Sequence, residues 1–250
     1  MEETILKEMP VSKCIKTRKS FRSFLDKPIE ARKLDKILEA GYFAPSAGGI
    51  HWINVILIQK KEAIKKILDC NGEYVTSKRI TTILKEKPEY LHNAAAIIVV
   101  SADLDKYRNE YADLIEGNGS SKWYNLPIGE LFSVNDADLA ALSMILQAHA
   151  LGIGVCWIGH IKEKRIKELL KLEGEIMPIC LLLMGYPDAK GESEIRRILK
   201  ERRKAFPEPP PPNRIFFEDE YGKEPKRIKN IEKQIRGILE QKRASESSRS

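Results

Sequence analysis

Apolar positions in this chain change period from one segment to the next. Leu34, Ile37, Leu38 and Gly41 recur at helical spacing behind Pro28, and the three- and four-residue intervals put them on one stripe of a helix. Asn54 to Gln59, Ala94 to Ser101 and Pro178 to Met184 are unbroken runs rich in Val, Ile and Leu, with the length and composition of strands covered on both faces. Ala137 to Leu151 predicts a second helix. Asn135-Asp136 offer capping oxygens ahead of it and Gly152 suits its end. From Ser133 to Ala150 this helix is apolar around most of its circumference, notably at Leu139, Leu142, Ile145 and Leu146. Such a helix is buried in a core or against another subunit.

The texture changes at Pro207. Pro209 to Pro212 cannot form a helix and predicts an extended polyproline segment. Arg214-Ile215-Phe216-Phe217 follows, too apolar for a free tail and expected to dock on the body or on a partner subunit. Ile228, Ile231, Ile235 and Leu239 then form a helical stripe within a basic run, the pattern of a docked amphipathic helix with a cationic back or, as the alternative, of a membrane-surface or nucleic-acid arm. The expected organisation is a body over residues 1–206, a proline-rich arm over 207–222, and a basic helix with a polar tail over 223–250.

Composition adds one point. The formal charge is +7 over 250 residues, but residues 223–250 hold nine Lys/Arg against four Asp/Glu. The tail therefore carries +5 and the rest of the chain only +2, which argues against nucleic-acid binding as the main role. No apolar run approaches the ~20 residues that span a bilayer, and Met1 to Pro10 has no signal-peptide core. A cytoplasmic protein is expected. Cys14, Cys70, Cys156 and Cys180 lack Cys-x-x-Cys spacing and read as reduced thiols. No histidine–carboxylate set has metal spacing, and neither a Gly-x-Ser-x-Gly elbow nor a Walker A loop is present.

Two short segments carry candidate chemistry. Arg18, Lys19, Ser20 and Arg22 fall within five residues, and ordered together they would present guanidinium forks, an ammonium and a hydroxyl to a phosphate-bearing ligand. Pro45-Ser46-Ala47-Gly48-Gly49 offers backbone to something flat, because Gly48 and Gly49 lack side-chain bulk and reach positive φ. One helix separates the two.

Arg18, Ser20, Arg22 and Phe24, then Ala44-Pro45-Ser46-Ala47-Gly48, resemble the N-terminal signature of the nitroreductase-like, FMN-dependent oxidoreductases. Asp138-Leu139-Ala140-Ala141, Ala148 to Gly154, Cys156-Trp157-Ile158-Gly159 and Leu183 to Pro187 agree in order, so the resemblance covers roughly Cys14 to Pro187. It implies an α+β homodimer with a central mixed sheet flanked by helices, FMN at the dimer interface, and a C-terminal extension. It further implies ping-pong hydride transfer from NAD(P)H through flavin N5 to a small electrophile such as a nitroaromatic or quinone. The competing reading is a flavin-binding sensor or scaffold with little turnover that acts through its basic tail.

The same resemblance distributes the cofactor contacts. Arg18 and Ser20 would hold the phosphate and ribityl end, with Lys19 in the same run, and Arg22 would face the pyrimidine edge, where a cation favours the anionic reduced ring. Ile158 and Gly159 would place backbone amides by the ring. Pro45, Ser46 and Gly48 would reach the flavin of the neighbouring subunit. Arg214 is the candidate for a second phosphate cation, with Arg196, Arg197, Arg202 and Arg203 competing. Where relatives commonly read Gly-Asn-x-Gln-Pro-Trp, this chain has Gly48-Gly49-Ile50-His51-Trp52. His51 there either takes part in the chemistry or is a hydrogen-bonded structural residue, and His149 reads as a core or interface histidine. Trp123-Tyr124 read as the end of a loop over the substrate face.

Overall fold

The computed structural model describes residues 9–72, 83, 85–86, 88–106, 120–121, 126–203, 215–216, 218–223, 232–238 and 240. The chain divides into two units, residues 1–195 and 196–250.

The first unit is built on a four-stranded sheet of β1 (Ile53–Ile58), β2 (Ala96–Asp103), β6 (Ile176–Gly185) and β5 (Gly154–Ile158), in that spatial order. β2 lies inside it and is buried from Ala96 to Ala102, which is why it reads as an unbroken apolar run. Alternation sends Ala96, Ile98 and Val100 of β2, with Cys180, Leu182 and Met184 of β6, to one face. There they meet α2 (Ala31–Tyr42) and α5 (Ile128–Ala150) through Leu34, Ile37, Ala137, Ala141 and Met144. Gly41 sits at the crossing of these helices. A Cβ there would stand 2.9 Å from Met144 Cγ, so the small residue permits the close approach. The remaining helices are α1 (Val11–Thr17), α3 (Lys61–Gly72), α4 (Pro88–His92), α6 (Glu163–Leu170) and α7 (Ala189–Arg203). A short ribbon pairs β3 (Ser120–Ser121) with β4 (Leu126–Pro127).

Three expectations need correction. The sheet is not mixed through its ladders, because β1–β2, β2–β6 and β6–β5 all pair antiparallel. Among the described residues, parallel pairing is confined to the isolated bridge from Ser20 to Val155 at the free edge of β5. The long helix starts at Ile128, not near Ala137. Asn135 and Asp136 lie inside it, and the Asp136 carboxylate serves a distant backbone amide instead of a cap. Its end is as expected: Gly152 takes φ 77°, and the Ile153 amide closes on the Ala148 carbonyl at 2.8 Å. Pro178, which cannot donate to a ladder, falls where the β2–β6 register shifts, a position suited to proline.

In the second unit, residues 218–223 form a turn with the Glu218 amide on the Lys223 carbonyl at 3.0 Å and Asp219 at φ 66°. Residues 232–238 are helical. Ile215 and Phe216 are about half exposed within this chain, at 52% and 45%. Pro209 to Pro212, Phe217, Ile228, Ile231 and Leu239 lie outside the described residues, as do Trp123 and Tyr124. All four cysteines are free, with Cys14, Cys156 and Cys180 buried. Among the described residues no helix is long and apolar enough to cross a membrane, and no cluster of side chains could hold a metal ion.

Candidate active site

The cation cluster lies on an extended limb that leaves α1 at Arg18 and runs along the outer edge of β5. The Phe21 amide donates to the Val155 carbonyl at 3.0 Å, the Phe24 amide to Tyr90 at 3.2 Å, and the Leu25 amide to Tyr186 at 2.9 Å. Two glycines make this seat. Gly154 and Gly185 face each other across the β5–β6 ladder, and the Phe21 ring rests on the first while Phe24 rests on the second. A Cβ at either would stand 2.9 Å from the ring's Cγ or Cδ1 carbon. A side chain at those positions would push the limb off the sheet.

Among the described residues neither guanidinium, Arg18 nor Arg22, has a carboxylate partner. Arg22 acts on the middle of β5. Burial pushes the Cys156 thiol up to about 11, the Arg22 charge opposes that rise, and Glu192 adds to it. At the start of the limb, Arg18 and Lys19 face His149 of α5. Burial first, and these two cations second, hold His149 below the ordinary histidine value. Its Nε2 lies 3.0 Å from Thr17 Oγ1, whose proton goes to the Lys13 carbonyl at 2.7 Å. With that proton committed, Nε2 acts as the donor in this contact, the Nε2–H tautomer when the ring is neutral.

Ile158 and Gly159 close β5 on the same edge. Ile158 is buried and Gly159 exposed, with the Trp157 indole beside it. A Cβ at Gly159 would come within 2.9 Å of Trp157 Nε1. The structure thus brings Ser20 and Arg22 to the strand that ends in Ile158 and Gly159.

Pro45, Ser46 and Gly48 belong to a second limb at the far end of α2. Residues Ala47–Gly49 form one 3₁₀ turn, with Gly48 at φ 62° and Gly49 at φ 71°. Pro45, Gly48 and Gly49 are exposed, and nothing lies within 4 Å of where a Gly49 Cβ would be. The turn is anchored to α5, since the Ala47 amide donates to Asp136 Oδ1 at 3.0 Å. Asp136 is only 3% exposed, and its burial raises the carboxyl against the pull of the Ala47 and Trp52 amides and of His51. Ser46 Oγ is buried nearby without a hydrogen-bond partner. His51, at φ 57°, stacks on Tyr42 with ring centroids 5.3 Å apart. That supports a packed histidine two positions beyond Gly49, where the common amide side chain is missing.

The two limbs do not converge within one chain. They flank α2, whose 12 residues span roughly 18 Å. Their contacts on α5, His149 and Asp136, are thirteen residues apart, roughly 20 Å along its axis. Arg214 lies outside the described residues, while Arg196, Arg197, Arg202 and Arg203 belong to α7.

The roles of four residues that carry this arrangement escaped the sequence reading: Gly154, Gly185, Asp136 and Glu192. The glycines had a signal, because glycine at a strand end marks a close backbone approach. The carboxylates had none, since each works by a contact across more than 80 positions.

The model of the nitroreductase family, a family of oxidoreductases, matches residues 15–186. A relative from Archaeoglobus fulgidus, whose assigned name of NADH dehydrogenase/NAD(P)H nitroreductase is itself provisional, is 32% identical over 181 residues. That alignment covers 70% of this chain and 84% of the relative. An FMN reductase (NADPH) from Bacillus subtilis is 27% identical over 177 residues, covering 69% of this chain and 64% of that one. The solved structure of an FMN-dependent nitroreductase from Clostridium difficile R20291 superposes with a TM-score of 0.52 at 30% identity, covering 71% of this chain and 87% of that one. The match takes in the cation limb, the glycine turn, the four-stranded sheet and the Gly185-Tyr186 corner, so the chain belongs to the nitroreductase family.

Proposed function

We propose that this protein is an FMN-dependent NAD(P)H oxidoreductase that works as a homodimer and passes electrons to a small flat electrophile such as a nitroaromatic or quinone. The observation that carries the reading is the pair of guanidinium groups, Arg18 and Arg22, without carboxylate partners among the described residues, at the edge of a strand followed by the exposed Gly159. These residues fit a flavin mononucleotide. Arg18, Lys19 and Ser20 supply a phosphate site, Arg22 supplies a cation for the pyrimidine edge, and Ile158 and Gly159 supply backbone where a side chain would obstruct. Pro45, Ser46 and Gly48 offer bare backbone to the same ring from another copy. Arg214 is the proposed second phosphate cation.

When bound, the flavin supplies ping-pong hydride transfer through N5 between nicotinamide and acceptor. The protein's part is to bind, orient and bias. Arg22 favours the anionic reduced ring, and the neutral His149 holds the start of the limb through Thr17. Residues 207–222 would run as an arm over the body or the partner, with 223–250 as a basic helix and tail.

The separation of the limbs supports the homodimer. With a ring held by Arg22 and Gly159 of one chain, that chain's own glycine turn sits at the far end of α2, which favours a turn supplied by a second copy. Leu139 and Leu142 of α5, 40% and 47% exposed, supply an apolar face for that contact. Leu142→Glu should give a monomer by light scattering and lose FMN; a Leu142→Glu dimer that keeps FMN would place the interface elsewhere.

The test of the whole reading is the visible spectrum of the purified protein, followed by anaerobic addition of NADH and then NADPH. Flavin absorbance that bleaches with one donor supports the proposal and identifies the donor. A protein that cannot take up FMN refutes it.

A further inference from the structure

The backbone amides at Arg22 and Ser23 are held by a residue outside their own limb. Arg22 and Ser23 have backbone amides that both donate to one oxygen, Oε1 of Glu192 in the first turn of α7, the Ser23 bond measuring 2.7 Å. Glu192 is 6% exposed and Ser23 fully buried. A second carboxylate supports the same place. Asp188 accepts from Ser23 Oγ at 3.0 Å and from the Gly191 amide at 3.0 Å, and its own amide donates to the Ser23 carbonyl at 3.1 Å. Gly191 leaves no slack, because a Cβ there would stand 2.0 Å from Ser23 Oγ. Residues 20–24 form no strand ladder, being tied to the sheet edge only by isolated bridges at Ser20 and Phe24. Between those bridges the Glu192 carboxylate takes the place of a partner strand.

We propose that Glu192 is a positioning residue for Arg22: by holding the Arg22 and Ser23 amides it sets the backbone from which the guanidinium reaches the flavin, and so sets how strongly the reduced ring is stabilised. This rests on the flavin reading above. A positioning role and a simple electrostatic one predict opposite signs. Removing a carboxylate near a flavin by its charge alone makes reduction easier, so it would raise the midpoint potential in every neutral variant. Losing the aim of Arg22 lowers the potential, and only in variants that release the amides. Glu192→Gln keeps an oxygen acceptor at the same reach without the charge. Glu192→Ala removes the acceptor, and Glu192→Asp is one methylene too short to serve both amides.

The experiment measures FMN dissociation constant and midpoint potential for the wild type and for Glu192→Gln, Glu192→Ala, Glu192→Asp and Arg22→Ala, with Glu192→Ala also placed in the Arg22→Ala background. Amide hydrogen exchange at residues 22 and 23 is followed in the flavin-free proteins. The expected result is slow exchange, and affinity within about twofold, for wild type and Glu192→Gln. Glu192→Ala should show fast exchange at both amides, roughly tenfold or more weaker FMN binding, a lowered potential, and no further lowering once Arg22 is absent. If Glu192→Ala does not fold, Glu192→Asp carries the same expectations. Unchanged exchange and potential in a folded Glu192→Ala or Glu192→Asp protein overturn the proposal and leave the flavin reading intact. A raised potential in both Glu192→Gln and Glu192→Ala overturns it in favour of charge alone, and an equal lowering in the Arg22→Ala background overturns the link to Arg22. A wild-type protein that takes up no FMN overturns the flavin reading and this proposal together.

Discussion

Single residues set the candidate site by what they omit as much as by what they hold. Phe24 is 1% exposed and lies on Gly185, so Gly185→Ala must displace a packed ring, at a cost of about 1–3 kcal/mol. For a chain of this size that lowers the melting temperature by roughly 2–4 °C per kcal/mol, read by thermal unfolding. Gly49→Ala, in open space, should cost only the strain of its positive φ. His149 makes the opposite kind of contribution. Its folded value lies below the unfolded one because burial, Arg18 and Lys19 all disfavour its charge. Over that interval the unfolded chain binds more protons, so stability is full above the ordinary histidine value and is lost as pH falls through and below it. His149→Gln, which keeps an N–H for Thr17, should remove this part of the decline as pH falls through and below about 6.5 in pH-dependent melting. An anion bound between Arg18 and Lys19 would cancel part of their charge and ease protonation of His149. FMN uptake should therefore strengthen at low pH in the wild type and lose that dependence in His149→Gln, by fluorescence titration at each pH.

At the scale of elements, α5 is the part on which both limbs depend. It carries Asp136 under the glycine turn and His149 beside the cation limb, and its outer face carries Leu139 and Leu142. Asp136→Ala should leave the Ala47 amide without its acceptor and cost about 1–3 kcal/mol, partly offset by relief of a buried charge. Asp136→Asn, which preserves the oxygen, should cost less; equal losses for the two variants in denaturant unfolding would contradict this account of the turn. The chain's pattern revealed α2, β2 and β6 because each carries one period and packs into the core, and β1, an edge strand, by its apolar run alone. It misplaced the start of α5 for a physical reason. Asn-Asp before an apolar run has cap chemistry, but the nine residues from Ile128 continue the helix and Asp136 is recruited by Ala47, 89 positions away. Local propensity does not register a partner at that distance. The limb at residues 18–25 was legible as chemistry but not as a seat on β5, because its bonds run to Val155, Tyr90 and Tyr186.

At the scale of the whole molecule, the excess charge and the candidate site occupy different parts of the chain. Residues 223–250 carry +5 of the +7, while every described residue of the two limbs lies in the first unit, residues 1–195. Electrostatic attachment to polyanions weakens steeply with salt in proportion to the number of cations engaged. A basic tail should therefore give salt-sensitive retention on an anionic matrix that has nothing to do with turnover. A chain ending at Gly222 would carry +2. It should elute from a heparin column at markedly lower salt than the full chain while keeping FMN and the same NAD(P)H oxidation rate. Loss of FMN on truncation would instead make the tail part of the cofactor site, and an unchanged elution position would move the anion-binding surface to the body. The anion site proposed for the body is small by comparison. Arg18, Lys19 and Arg22 suit one phosphate-bearing ligand, so added inorganic phosphate should compete with FMN in the truncated protein without altering its melting temperature by more than that single site allows. A large stabilisation by phosphate at concentrations that leave FMN bound would mean a second anion site outside the cation limb.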